Sequence, residues 1–110
     1  MERIDKRWGY ELIHHNADGY SMKTLVLKRS GISSLHYHTK KTETFLVVEG
    51  GVLIQVGSTM HILSKGKSIH IPAGTPHRFQ VAAGYEAVII EAGTIHDEED
   101  VTRIEESRYL

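Results

Sequence analysis

The stretch SSLHYHTKKTETFLVVEG, residues 33–50, constrains this chain more than any other. It sets His36 and His38 one residue apart, leaves four residues before Glu43, and closes an apolar run at Gly50. Side chains two apart on a β-strand share a face, so both imidazoles can be presented to one ion. Glu43 then reaches in from the neighbouring strand across a short turn. A third imidazole is supplied by GKSIHIPAGTPHRF, where His77 follows a Pro- and Gly-rich corner. Three neutral nitrogens and one anionic oxygen suit zinc, iron, nickel or manganese. Burying four ionisable groups in a small domain is costly unless a cation compensates them; the plain alternative is a metal-free, hydrogen-bonded polar cluster. Four protein ligands on an ion that accepts five or six leave open positions for Lewis-acid or redox chemistry.

The flanking sequence reads as strand after short strand. Near the start, Trp8, Tyr10 and Leu12 alternate along an extended segment, fit to cover one side of a barrel or to pair with a second subunit. NADG, residues 16–19, turns the chain into YSMKTLVLKR, and Ser30 with Gly31 turns it again into the histidine strand. TFLVVEG and GVLIQVG, joined at Glu49, Gly50 and Gly51, read as a tight hairpin. Phe45 and Val47 share the parity of Glu43 and are expected to line the interior beside the ion. A turn at residues 57–59, the strand MHIL, a turn at SKGKS and the strand IHIP lead to AGTPH, where Pro72 and Pro76 fix φ and Gly74 permits the bend. VAAGYEAVIIEAG holds the last long strand, and the acidic segment from residue 94 onward reads as a strand end with a short helix or tail. Roughly eight to ten short strands without sustained helical periodicity predict an all-β antiparallel barrel or sandwich. The division expected is one domain over 1–110: N-terminal strands 1–30, a barrel 31–93 and an acidic tail 94–110.

Composition narrows the partners. A chain of 110 residues with 40% hydrophobic and 25% charged residues is ordinary for one globular domain. A formal net charge of -1 offers no electrostatic case for nucleic acid or an anionic membrane. The absence of cysteine excludes disulfides, thiolate metal sites and thiol catalysis. Without an apolar run long enough to span a bilayer or a leader at Met1, the expected location is cytoplasmic. Of eight histidines, His14, His15, His61, His70 and His96 fall outside the motif positions and read as surface or strand-edge residues. Lys40 and Lys41 read as solvated turn residues, and Arg78, of opposite parity to His77, as pointing outward. A homodimer contacting through residues 8–13 is the expected assembly.

The order Gly31, His36, His38, Glu43, Gly50, then Gly66, Pro72, Gly74 and His77 resembles the two motifs of the cupins, small β-barrels that hold a metal inside. Four residues separate Gly31 from His36 where five are usual, and Val81 stands where many cupins carry Asn. Over nearly its whole length the chain is similar to the cupin domain of bifunctional mannose-6-phosphate isomerase and mannose-1-phosphate guanylyltransferase proteins. The similarity runs through RWGYELI, SSLHYHTKKTETFLVVEGG, HIPAGTPHRF and IIEAGTIHDEEDVTRIEES. It implies a cupin jelly roll, one divalent metal ion per chain with His38, Glu43 and His77 among its ligands, and interconversion of mannose and fructose phosphates. His36 stands where that family often has Gln, and Lys41 where it often has Arg. The resemblance does not extend to the nucleotidyltransferase part and implies no nucleotide chemistry. The leading expectation is therefore a metal-dependent aldose–ketose isomerase of a sugar or sugar phosphate. An iron dioxygenase at the same ligands and a non-enzymatic small-molecule-binding barrel are the alternatives.

Overall fold

The structure, a computed structural model, describes residues 1–28, 31–81 and 85–109, the last of these by its backbone. The turn expected at Ser30, residues 82–84 of the last long strand and Leu110 lie outside the described residues. In chain order the strands are β1 (Glu2–Lys6), β2 (Gly9–Ala17), β3 (Tyr20–Leu27), β4 (Gly31–Ile32), β5 (Leu35–Tyr37), β6 (Glu43–Glu49), β7 (Gly51–Val56), β8 (Thr59–Ser64), β9 (Ser68–Ile71), β10 (His77–Gln80), β11 (Ala87–Gly93), β12 (Thr102–Glu105) and β13 (Arg108–Tyr109). Every pairing is antiparallel, and among the described residues the one helical element is a 3-10 turn at Glu98–Asp100. No helix among them is long and apolar enough to cross a membrane. Two sheets form the jelly roll. One runs β1-β2-β3-β11-β6-β9; the other runs β12-β5-β10-β4-β13, with β7 bridging β10 and β8.

Alternation decides which side chains meet between the sheets. Leu25 and Leu27 of β3, Phe45 and Val47 of β6, and Ala87 and Ile89 of β11 point inward and pack against Val52, Ile54 and Phe79 of the second sheet. Phe79 meets the edge of Trp8 at 5.3 Å and of Phe45 at 5.8 Å between ring centroids. The same inward parity then turns polar. Lys23 precedes Leu25 on β3, Glu91 follows Ile89 on β11, and Glu43 precedes Phe45 on β6, all buried. Register aligns them, with Lys23 opposite Glu91 and Ser21 and Glu43 both opposite Gly93. The interior is thus apolar at one end and charged at the other, and the charged end holds the histidines.

Two expectations about the backbone are corrected. β6 and β7 do not pair: β6 joins β11 and β9, while β7 joins β10 and β8. Gly50 and Gly51 therefore form a corner that carries the chain from one sheet to the other. Gly50 has φ +75°, and a Cβ there would stand 2.3 Å from the Glu86 carbonyl oxygen. Trp8 does not continue one extended segment with Tyr10 and Leu12, since β2 begins at Gly9. It sits in the β1–β2 turn with its side chain 6% exposed in the chain's own core. The acidic segment is built into the sheet, since β12 pairs with β5 and β13 with β4.

Candidate metal centre

His36 and His77 are direct cross-strand partners on β5 and β10. This pairing brings their rings to 4.6 Å between centroids. His38 lies just beyond the end of β5, its ring 5.1 Å from His36 and 5.7 Å from His77. One ring nitrogen from each of the three lies within 4.8 Å of the others, a group that could hold a metal ion. Glu43 enters from the opposite sheet, its Oε1 2.8 Å from His77 Nε2 and 3.6 Å from His38 Nε2. All four residues singled out from the sequence are thereby brought together, and Phe45 packs beside them with its ring 6.1 Å from that of His77.

The outer edge of each imidazole is held by a backbone carbonyl. Nδ1 of His36 donates to Ser34 O at 3.1 Å, that of His38 to Asp100 O at 3.2 Å, and that of His77 to Thr75 O at 2.9 Å. A carbonyl only accepts, so these bonds place the proton of His38 and His77 on Nδ1 and turn Nε2 inward; at His36 the Ser34 hydroxyl, 3.0 Å from Nδ1, stands beside the carbonyl as a second partner. Burial, then the neighbouring imidazole of His77, lowers the His36 pKa to about 3. Burial also lowers that of His38, to about 4, against the pull of Glu43. Burial would raise the Glu43 pKa, but His77 and Lys41 outweigh it and hold the carboxylate well below its usual range.

The consequence is an imbalance that a cation would relieve. Glu43 Oε1 and Oε2 and His77 Nε2 are buried and lack a hydrogen-bond partner. The 2.8 Å approach of Oε1 to Nε2 is not aligned as a hydrogen bond, and with Nδ1 bonded to Thr75 O an Nε2 that carried no proton would set lone pair against lone pair. A proton or a metal ion has to stand between them, and three imidazoles with one carboxylate fit a divalent ion. A cavity of about 70 Å³ opens beside them, walled by Trp8, Phe45 and Phe79 and flanked at its rim by Glu98 and Arg103. That is space for several waters or a small oxygen ligand.

Three further residues belong to this site although the sequence reading passed over them. Lys41 is not a solvated turn residue: it is 2% exposed, with Nζ 2.6 Å from Glu91 Oε2 and 3.2 Å from Glu43 Oε2. Its parity with Glu43 and Phe45 was the available signal. Glu91 sits at inward parity in an apolar strand, a similar signal. His96 had none, because long-range packing sets its place. Its backbone exchanges two 2.9 Å hydrogen bonds with the Asn16 side chain, and its Nδ1 reaches Lys41 Nζ at 3.0 Å. Arg78 avoids the site as expected but does not point into solvent; it is 7% exposed and bonded to Ser33 O at 3.2 Å and Glu105 at 3.0 Å. His61, half-buried on β8, and His70, exposed on β9, are not among the residues that line the cavity.

Comparison with known proteins places this geometry among relatives. A family profile described as "Cupin domain" matches residues 24–93. The chain is 31% identical over 110 residues to mannose-1-phosphate guanylyltransferase of Salmonella muenchen, covering 97% of this chain and 23% of that protein. It thus spans less than a quarter of the length of that relative. The capsular polysaccharide assembling protein CapF of Staphylococcus aureus is 21% identical with a TM-score of 0.83, over 94% of this chain and 34% of that one. KdgF of Halomonas sp. is 17% identical with a TM-score of 0.78, over 90% of each chain. Likeness at that level of identity speaks to the fold alone.

Proposed function

The chain belongs to the cupin domain family, and from that premise we propose that it binds one divalent metal ion through His36, His38, Glu43 and His77 and isomerises a sugar or sugar phosphate between aldose and ketose. The observation that carries the metal is the pair of buried, unpartnered atoms Glu43 Oε1 and His77 Nε2 at 2.8 Å, with two more imidazoles beside them. Zinc, manganese, iron or nickel bound there would supply Lewis acidity toward the oxygens of a small ligand. The carbohydrate class is supported by the name of the relative from Salmonella muenchen, a mannose-1-phosphate guanylyltransferase.

The chain's own residues fit that work. Nδ1–H···O=C bonds at His38 and His77 hold those imidazoles in the tautomer that turns Nε2 inward, and Ser34 orients the ring of His36 through its carbonyl and hydroxyl. Lys41 stands on the Oε2 side of Glu43 and leaves Oε1 toward the histidines. Trp8, Phe45 and Phe79 set apolar surface beside the charged groups that line the rest of the cavity. Glu43, pinned by an ammonium and facing the imidazoles, has too little basicity to move the carbon-bound proton as well.

Two measurements test the reading. Elemental analysis of protein purified without added metal should find about one divalent ion per chain, lost in His38→Ala and His77→Ala; full occupancy in both variants would overturn the ligand set. Incubation with mannose- or fructose-type substrates in heavy water should place deuterium at the carbon beside the carbonyl. That exchange should disappear after chelation and in His77→Ala. A fully loaded protein that neither converts nor exchanges any of a broad panel of sugars and sugar phosphates removes the isomerase.

A further inference from the structure

Residues 38–42 link β5 to β6 and so cross between the sheets, carrying His38 at one end and reaching Glu43 just beyond the other. A strand ladder cannot hold such a link, because its amides project into a loop rather than toward a partner strand. Its amides turn instead to one carboxylate. Asp100 Oδ1 accepts from Thr39 N at 2.9 Å and also from the Thr39 hydroxyl, while Oδ2 accepts from Lys40 N at 3.0 Å and Lys41 N at 3.3 Å. Three successive amides pointed at one anion form a concave nest, here filled from within the chain. The backbone of the same residue makes the bond that matters most. Asp100 O accepts the Nδ1 proton of His38 at 3.2 Å. Asp100 is itself set by the 3-10 turn, whose closing bond runs from Asp100 N to Asp97 O at 2.9 Å and whose cap is Asp97 Oδ1 accepting from Glu99 N at 3.0 Å.

We propose that Asp100 is the positioning residue for His38: its side chain locks the 39–41 backbone, and its carbonyl selects the tautomer in which His38 turns Nε2 toward Glu43 and His77. The inference rests on the reading of His38 as a metal ligand. The carboxylate bonds and the carbonyl bond come from one residue, so a single amino acid ties the clamped loop to the His38 ring. The clamp also sets how far His38 stands from Glu43, because it seizes the only segment that joins them directly. The acidic segment after residue 93 is therefore part of the centre rather than an appendage. Loss of the carboxylate frees the turn to drift, and the His38 ring is then free to exchange its proton between Nδ1 and Nε2.

The test uses Asp100→Ala and Asp100→Asn in the full chain, with Glu99→Gln, an exposed neighbour on the same turn, as the control. Asn keeps one acceptor oxygen for Thr39 but sets an NH₂ group against the amides of Lys40 and Lys41, so its defect should be the smaller one. Imidazole ¹⁵N NMR of the metal-free protein should show His38 as the Nδ1–H form in the parent and in Glu99→Gln, and as a mixture of tautomers in both Asp100 variants. Cobalt(II) titration followed by visible absorption should show binding weakened by about 10- to 100-fold in Asp100→Ala, with an altered spectrum, and by less in Asp100→Asn. If the alanine variant does not fold, Asp100→Asn carries the test alone. An unchanged His38 tautomer with unchanged cobalt affinity in the folded variants would overturn the proposal. If the parent binds no cobalt, it is the metal reading that fails, and the tautomer measurement still decides the role of Asp100.

Discussion

The Lys41 ammonium stands between two buried carboxylates, 2.6 Å from Glu91 and 3.2 Å from Glu43. Burial alone would lower its pKa, but Glu91 and Glu43 outweigh it and raise the value above that of a free lysine. Removing the charge in Lys41→Met leaves two carboxylates without their shared counter-ion, and we expect a loss of about 3–5 kcal/mol in urea unfolding. Lys40→Ala, at an exposed position next to it, should stay within about 0.5 kcal/mol. A comparable cost in both variants would mean that the buried pairing contributes nothing. The histidines give a pH dependence of definite sign. His36 and His38 have folded pKa values of about 3 and about 4, below the ordinary 6.5. Between those values the unfolded chain binds more protons than the folded one, so stability is lost as the pH falls below about 6.5. Glu43, with its pKa depressed, adds to the loss only at lower pH, as protons reach its carboxylate. The melting temperature of chelator-treated protein should therefore fall steadily from about pH 7 to about pH 4.5; a flat profile would contradict neutral burial of these rings.

At the scale of elements, the corner between β6 and β7 is the most demanding piece of backbone. Gly50 and Gly57 both adopt positive φ, +75° and +60°, but their surroundings differ. A Cβ at Gly57 would meet nothing within 4 Å, whereas one at Gly50 would strike the Glu86 carbonyl oxygen at 2.3 Å. Gly57→Ala should thus lose only the conformational cost, about 1–2 kcal/mol. Gly50→Ala should lose at least about 1–2 kcal/mol more, since backbone on β11's approach must shift as well. Thermal unfolding of the two variants side by side checks this, and equal losses would mean that the corner yields freely. The distinction follows from topology: Gly57 turns the β7–β8 hairpin where a side chain has room, while Gly50 turns the chain between packed sheets.

For the whole molecule, a metal that binds the folded chain alone shifts unfolding by mass action. Zinc or manganese at about 100 times its dissociation constant should add about 2.7 kcal/mol to the chelated protein. In a domain of this size that raises the melting temperature by roughly 10 °C. No rise with any of the four candidate metals would remove the centre as a folding ligand. The expected assembly is a homodimer, and the fold takes Trp8 out of any contact because its side chain is inside. Tyr10 is likewise covered, by the Arg3 guanidinium 3.8 Å above its ring. The exposed apolar side chains Met22, Leu46 and Val48 lie on the outer face of the first sheet instead. Light scattering at high concentration should report about twice the 12.4 kDa of one chain, and the mass of a single chain would remove the dimer.

The amino-acid order alone determined the class of fold and which four side chains, His36, His38, Glu43 and His77, would converge. Period-2 alternation with close turn signals has few folded solutions, and residues at fixed short spacing such as His36 and His38 meet through local geometry. His77 was legible because Pro72, Gly74 and Pro76 announce the bend before it. What lay beyond reach depended on which strands become neighbours. The pair Gly50 and Gly51 looks the same in sequence whether it closes a hairpin or crosses between sheets, since only the pairing of β6 with β11 decides between them. Lys41 looked solvated because its neutralising partner Glu91 is 50 residues away and is brought to it across the β6–β11 ladder. His96 and Asp100 reached the centre from a segment whose acidic composition suggests solvent, because β12 pairs with β5 and carries the preceding turn against His38. Local spacing is written in the chain; the compensation of buried charge is a long-range property, and only the closed barrel brings its two halves together.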